Sequence, residues 1–327
     1  MRRRRAVCRQ GRHPRNRCRA RTTSLRRAGT APTAGRRSGR AGTLQLDTGR
    51  PADAWRARNI GVTLSIVIVS YNARADLERC LGSIRSAPPD ARCEVIVVDN
   101  ASTDGSAAAA REFGGVRVIA SPTNRGFAAA SNAGIRASHG ANLLLLNSDT
   151  LVPPGAVDTL LRELDRHPDA AVAGPRLVDG SGRPELSFGR MITPANEIRQ
   201  KRLLRRYQRG DPRSVGLVES LTRQEQWPDW VSGACLLVRR DDAEAVGLLD
   251  ERFFMYTEDV DFCASIRARG RRVLFTPAVE IVHLRGRSGS SAPSATRAAY
   301  RRSHLAFYEK HHPAIAPLLR VYHWLRG

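Results

Sequence analysis

Four consecutive leucines, Leu143 to Leu146, run straight into Asn147-Ser148-Asp149-Thr150. An unbroken apolar run of this kind reads as a strand buried on both faces, which demands a sheet covered by helices on each side. Ligands of open α/β sheets gather beyond the carboxyl ends of such strands. A carboxylate there, with Asn147 and Ser148 beside it, offers the hard oxygen ligands that Mg2+ or Mn2+ takes jointly with a diphosphate. The same stretch also reads as an ordinary strand-to-loop turn capped by Asp149.

The pattern is not isolated. Leu64 to Val69 is β-branched and apolar, a central strand that stops at Ser70-Tyr71-Asn72. Asn72 is a candidate N-cap for a helix whose Leu77, Leu81 and Ile84 recur at helical spacing before Pro88-Pro89. Val95 to Val98 then runs into Asp99-Asn100, with Ser102, Asp104 and an alanine-rich helix to about Phe113. Val116 to Ala120 predicts a third strand and Gly126 to Ser138 a third helix. Strands and helices in alternation mean right-handed crossovers and a parallel sheet. Its polar strand ends, Ser70 to Asn72, Asp99 to Asp104 and Asn147 to Asp149, fall on one edge. That is nucleotide-binding geometry, yet no G-x-x-x-x-G-K-[ST] and no G-x-G-x-x-G follows the first strand, which argues against an ATPase or a dinucleotide dehydrogenase. Taken singly, Asp99 is also a good helix cap and Asp104 a good turn former.

Ser65 to Asn72, then Val97-Val98-Asp99-Asn100-Ala101-Ser102-Thr103-Asp104-Gly105, then Asn124-Arg125-Gly126-Phe127 with Asn132, then Leu146-Asn147-Ser148-Asp149 resemble the family 2 glycosyltransferases of GT-A fold. The similarity is strongest to their bacterial rhamnosyltransferase-like branch and spans Val62 to Ser288. It implies an α/β fold with a mostly parallel central sheet and helices on both faces. It implies also that Asp99 binds the ring N–H of uracil or thymine, and that Asp149 holds a divalent ion, Mg2+ or Mn2+, on the donor diphosphate. Ser70, Tyr71, Asn72, Asn100, Asp104, Arg125, Gly126, Asn132 and Asn147 would line the nucleotide-sugar site. The family's D-x-D has Asn147 at its first position here, which weakens the expected grip on metal.

The second half should supply the acceptor side. Ala170 to Pro175 predicts a strand and Val178 to Gly182 a turn. Residues 190 to 228, with seven Arg and Lys between Arg199 and Arg213, carry no legible motif and read as an acceptor groove or a solvated surface. Trp230-Val231-Ser232-Gly233-Ala234 places an aromatic beside small residues before an apolar strand. A sugar stacked on Trp230 near the Gly233 backbone is one reading, and core packing of Trp230 is the other. Glu258, Asp259 and Asp261 crowd three carboxylates together, with Thr257 a candidate cap for the helix to about Arg269. The resemblance makes Asp259 the general base and Glu258 its neighbour toward the acceptor. His283, alone an ordinary histidine, opens H-x-x-G-x-S, which in the family implies a further metal ligand, with Arg285, Arg287 and Ser288 near the diphosphate.

The formal charge of +23 suggests a nucleic-acid binder until it is located. Residues 1 to 58 hold 18 Arg against Asp47 and Asp53, which is +16 of the total and leaves +7 for the rest. With no apolar periodicity and no signal-peptide run, this arm is expected to be disordered. It reads as a polyanion-binding tail, as an organelle-targeting peptide, or as sequence upstream of a true start near Gly61. Six cysteines without C-x-x-C spacing imply a reducing cytoplasm. No run reaches 18 apolar residues, so membrane contact would be peripheral, on the inner face. The basic, aromatic tail from Ala295 either lies on an anionic bilayer or packs back on the core.

The expected organisation is a basic arm over 1–60, a nucleotide-sugar-binding half over 61–175, an acceptor-binding and catalytic half over 176–290 and a helical tail over 291–327. The expected function is inverting transfer of a sugar, rhamnose by resemblance, from a dTDP- or UDP-sugar to a glycan or lipid-linked glycan in cell-envelope polysaccharide synthesis. A nucleotidyltransferase of similar fold would want a basic phosphate-gripping loop where Tyr71-Asn72-Ala73 stands. A nucleic-acid-binding protein would explain the arm but not the strand-end motifs.

Overall fold

The computed structural model describes residues 61–284 and 293–325. The expectations about the arm, Arg285, Arg287 and Ser288 lie outside these residues. The chain enters as β1 (Leu64–Ser70), crosses α1 (Arg74–Ser86) to β2 (Cys93–Asp99), and crosses α2 (Ser106–Glu112) to β3 (Val116–Ala120). Helix α3 (Phe127–Arg136) returns it to β4 (Asn142–Asn147) beside β1. Each crossover buries an apolar face. In α1 that face is Leu77, Cys80, Leu81 and Ile84, at the i, i+3, i+4, i+7 spacing of a one-sided helix. Each such leucine or isoleucine stabilises the fold by about 1.5–3 kcal/mol when removed from water.

After β4 come the short β5 (Thr150–Leu151), α4 (Ala156–Arg166), β6 (Ala170–Val178) and β7 (Phe188–Gly189). Helices α5 (Pro194–Gln208) and α6 (Pro212–Thr222) occupy the stretch with no sequence motif. Then follow β8 (Trp230–Val231), β9 (Cys235–Arg239), α7 (Arg240–Ala245), α8 (Glu258–Ala268) and β10 (Arg272–His283). The tail forms α9 (Pro293–His311) and α10 (Ala316–Leu325).

Eight strands make one sheet in the order β3-β2-β1-β4-β9-β6-β10-β5, and β7 pairs with β8 separately. Strand β9 runs antiparallel to both β4 and β6, while β6 and β10 are parallel. The two halves of the chain therefore interleave in one sheet, with β9 from the second between β4 and β6 from the first. The consequence for the site is directional. Strands β1, β2, β4 and β10 end at one edge, with Ser70, Asp99, Asn147 and His283, and β9 begins there just after Gly233.

Two expected caps are not made. Asn72 has φ 48° and its Oδ1 accepts from the Thr103 amide at 2.8 Å, while Ala73 takes the N-cap position of α1 without a side-chain bond. The side chain is spent on tying the β1 loop to the β2 loop. Thr257 does stand at the N-cap of α8, but in the left-handed region at φ 65°, and its Oγ1 is buried with no hydrogen-bond partner. The tail packs back. Phe307 and Tyr308 are buried against Phe253 and Val260, and Lys310 Nζ bonds Asp250 Oδ2 and Asp261 Oδ2 at 2.9 and 2.8 Å. Asp261 Oδ1 faces His311 Nε2 at 2.6 Å. Among the described residues no helix is long and apolar enough to cross a membrane.

Candidate active site

The polar edge of the sheet opens into a cavity of about 480 Å3. One wall is built where β4 ends. Leu284 donates its amide to the Asp149 carbonyl at 2.8 Å, and His283 pairs with Thr150 across β10 and β5. This antiparallel closure brings Asp149 Oδ1 within 3.3 Å of His283 Nε2. The other ring nitrogen, Nδ1, lies 3.2 Å from Glu185 Oε2. Burial works against a charge on the imidazole, but the Asp149 and Glu185 carboxylates prevail and push it up to about 9. Cys80 lies beneath this turn, its Sγ 3.8 Å from the Asn147 carbonyl.

The donor set fits a divalent cation. Asp149, in the turn before β5, and His283, at the end of β10, supply one oxygen and one nitrogen, and a carboxylate on the far imidazole nitrogen is the usual way a ligating histidine is oriented. Two protein ligands suit an ion that takes its remaining oxygens from a diphosphate and water. A trio of donors, Glu163, His167 and Glu225, lies elsewhere on the fold. Its members are all ion-paired or partly exposed.

The opposite wall carries the acids. Asp259 Oδ2 accepts from the Gly233 amide at 2.9 Å and Oδ1 from the Val260 amide at 2.8 Å. Glu258 is buried, and its Oε2 has no hydrogen-bond partner. Burial pushes both carboxyls above their ordinary range, Glu258 further because Asp259 stands beside it. Acids raised in this way in a cleft are suited to proton transfer near neutral pH. The third carboxylate, Asp261, is the structural one, committed to Lys310 and His311 of α9.

The loop before these acids is held under strain. Tyr256 and Thr257 both have positive φ, 70° and 65°, an uncommon state for side chains of their size that costs of order 1–3 kcal/mol each. It is fixed from the other half of the chain. Phe127 donates its amide to the Phe254 carbonyl at 2.7 Å, and Gly126, at φ 85°, lies too close to Phe254 for any Cβ. Asn100 in turn holds the Gly126 turn: its Nδ2 donates to Asn124 Oδ1 at 2.8 Å and to the Gly126 carbonyl at 3.2 Å, and its Oδ1 accepts from the Arg125 amide.

Of the residues singled out in the sequence, Tyr71, Asn100, Gly126, Asn147, Asp149, Gly233, Glu258, Asp259 and His283 line this cavity. Ser70 and Asp99 sit at paired strand ends, and Ser70 Oγ and Asp99 Oδ1 are buried without a hydrogen bond. Five others are placed elsewhere. Asp104 accepts from the Arg74 amide at 2.8 Å and from Ser106, which realises its reading as a turn former. Asn72 bridges loops, as above. Arg125 is exposed and pairs with Glu251 at 3.0 Å. Asn132 is buried behind the cleft, bonding Leu249 through its backbone amide and carbonyl. Trp230 donates its indole N–H to the Arg190 carbonyl at 2.9 Å and packs on Gly189, so core packing takes it off the cavity wall. Sequence reasoning missed Glu185 and Tyr256, whose roles come from contacts made across the fold, and gave Asn124 no role of its own within its motif.

Four likenesses, to one family and to three proteins, accompany this geometry. The family model for glycosyl transferase family 2 matches residues 65–220. An N-acetylglucosaminyl-diphospho-decaprenol L-rhamnosyltransferase of Mycobacterium tuberculosis is 31% identical over 261 residues, which cover 76% of this chain and 85% of that protein. A hexosyltransferase of low-salt glycan biosynthesis from Haloferax volcanii is 25% identical over 67% of this chain and 66% of its own length. Among solved structures, a mannosyltransferase from Pyrobaculum calidifontis in complex with GDP-Man and Mn2+ superposes with a TM-score of 0.52. At 20% identity, over 80% of this chain and 69% of that one, it supports the GT-A fold. Family membership sets aside the nucleotidyltransferase reading of the first half. With a curated rhamnosyltransferase this similar along most of its length, the chain belongs to glycosyltransferase family 2, as a rhamnosyltransferase-like glycosyltransferase.

Proposed function

We propose that this glycosyltransferase inverts the anomeric centre as it moves rhamnose from a pyrimidine nucleoside diphosphate, dTDP or UDP, to a hydroxyl of a lipid-diphosphate-linked glycan. The observation that carries the reading is the shared cavity: Asp259, fixed by two backbone amides, lines the same space as the Asp149–His283 pair. One group thus serves an incoming hydroxyl and the other a departing diphosphate.

In this reading Asp259 takes the proton of the acceptor hydroxyl as that oxygen attacks the anomeric carbon. The amides of Gly233 and Val260 keep its lone pairs aimed, and its raised proton affinity makes it a stronger base than an exposed carboxylate. Glu258 orients the acceptor. Asp99 Oδ1, at present without a hydrogen bond, takes the pyrimidine ring N–H, and Ser70 Oγ adds a second polar contact beside it. Asp149 and His283 would hold a divalent cation, Mg2+ or Mn2+, which when bound neutralises charge developing on the diphosphate. Glu185 keeps the His283 ring oriented for that task. Asn100, Asn124 and Gly126 shape the floor, while Arg125 and Asn132 act from outside the cavity by fixing the segment around Glu251.

The lipid-linked acceptor rests on the name of the mycobacterial relative, and the cation and nucleotide sugar agree with the ligands of the archaeal mannosyltransferase. Such an acceptor places the work in cell-envelope polysaccharide synthesis, on the cytoplasmic face of the membrane. A panel of dTDP- and UDP-sugars assayed for nucleoside diphosphate release, with and without Mg2+, tests the reading. Release from dTDP-rhamnose alone or above all others is expected. Equal indifference to every donor in the presence of a prenyl-diphosphate-linked acceptor would overturn it.

A further inference from the structure

Tyr256 has two sides. One lines the catalytic cavity; the other is a wall of a second cavity, about 440 Å3, between α5, α9 and α10. Lys201, Arg297 and Arg301 line this second space together with Tyr300 and His304, and no carboxylate is among its described lining residues. Glu197, on the same helix as Lys201, is already committed. It faces Lys201 Nζ at 3.0 Å, His304 Nε2 at 2.9 Å and the Tyr308 hydroxyl at 2.9 Å. Although burial opposes its ionisation, these partners hold its carboxyl down at about 2. Lys201, Arg297 and Arg301 thus bring three cationic side chains to the wall of one space. His323 lies within reach of these charges: burial lowers its proton affinity first, and His304, Arg301 and Lys201 lower it further against the opposing effect of Glu197.

Aromatic rings join the two cavities. Tyr256 meets Tyr300 edge to face at 5.8 Å, and Tyr300 stacks on His304 at 5.5 Å. On the far side, α10 turns its apolar stripe outward. Leu318, Val321, Tyr322 and Leu325 recur at i, i+3, i+4 and i+7 and are all exposed, with Trp324 at 81% exposure beside them. An apolar helical face left in solvent marks a surface with something to cover it. Here it borders a cationic pocket that shares a wall with the transfer cleft.

We propose that this second cavity binds the phosphate or diphosphate of the acceptor, with the prenyl chain lying along α10 and the acceptor sugar passing Tyr256 toward Asp259. Guanidinium and ammonium groups recognise phosphate through charge-assisted hydrogen bonds. The exposed stripe suits the hydrocarbon that such an acceptor carries. Tyr256, held in its strained conformation by the Phe254 and Gly126 contact, separates the anion from the reacting hydroxyl and so sets the reach between them. The inference rests on the transfer reading for its purpose but not for its test.

The test is binding of farnesyl diphosphate to the full chain in excess chelator, which keeps a diphosphate off any cation at Asp149, read by tryptophan fluorescence or calorimetry. The wild type is expected to bind it, the double variant Lys201→Ala/Arg297→Ala about tenfold or more weakly, and Lys201→Arg/Arg297→Lys close to wild type. No binding by the wild type, or equal binding by the alanine variant with an unchanged melting curve, overturns the proposal. A second arm uses turnover of dTDP-rhamnose with two acceptors bearing the same N-acetylglucosamine, one linked to diphospho-farnesol and one an octyl glycoside. The ratio of their kcat/KM values, taken within each protein so that folding losses cancel, should fall about tenfold in the alanine variant. A ratio that does not move, with loss only of sedimentation on phosphatidylglycerol vesicles, would assign the cavity to bilayer headgroups instead. Donor turnover absent with both acceptors would count against the transfer reading, while the binding arm still decides the cavity.

Discussion

Gly126 and Phe254 meet backbone to backbone: a Cβ on Gly126 would overlap the Phe254 carbonyl and lie 2.8 Å from its Cα. This contact is how a turn after β3 positions an acidic loop more than a hundred residues later. Gly126→Ala should therefore act twice, through the cost of φ 85° and through the overlap. A loss of about 2 kcal/mol or more in denaturant unfolding is expected, with turnover falling further than stability alone explains. Wild-type turnover from a stably folded Gly126→Ala protein would show that the acidic loop is positioned by other contacts.

Asp259→Asn keeps the shape and one of the two amide contacts, since its Nδ2 cannot accept from the second N–H, and it cannot take a proton. Its kcat should fall by about 10² or more, with donor affinity little changed. Turnover close to wild type would transfer the base role to Glu258.

The acid pair also predicts a pH signature. A base works deprotonated, so activity should rise with pH through the pair's raised values, placing the acidic limb of kcat/KM above the ordinary carboxylate range of about 4. For stability the sign is opposite. In the range between ordinary and raised values the folded chain holds protons that the unfolded chain has released, so folding is favoured less as pH rises. Glu258→Gln removes that cost. At pH 7–8 its Tm should be higher by about 2–4 °C, corresponding to about 1 kcal/mol, while its activity drops. A lower Tm would mean that the buried carboxylate is stabilised by its surroundings.

Metal dependence gives a graded series. Chelator should abolish transfer, and Mg2+ or Mn2+ should restore it. Asp149→Ala should weaken metal-dependent donor binding most and His283→Ala less. Glu185→Gln, which touches the cation only through His283, should weaken it by about tenfold. Full activity in excess chelator would mean that Asn147 at the first D-x-D position accompanies a metal-independent site, with arginines carrying the diphosphate charge.

Much of this was legible because it is local. Apolar runs ending in polar residues locate β1, β2 and β4, and the one-edge clustering of their ends follows from parallel crossovers alone. What escaped was long-range. Nothing near Glu185 marks it as the partner of His283, because that contact arises from the turn after β6 meeting the end of β10. Trp230 and Asn132 have suitable chemistry for a binding site, yet packing against Gly189 and hydrogen bonding to Leu249 place them away from the cavity. Periodicity located the tail helices, but it could not tell that α9 supplies the counter-charge for Asp261.

That last link makes α8 and the tail helix α9 a single cooperative unit. Lys310 and His311 grip a carboxylate on the first turn of the helix that presents Asp259. Fraying of α9 would strand a buried anion two residues from the base, an opening event too costly to occur by itself. Amide protons of Val260 and Asp261 should accordingly exchange with solvent deuterium in step with those of Phe307 and Tyr308, as one foldon, and on a slower schedule than the exposed α10.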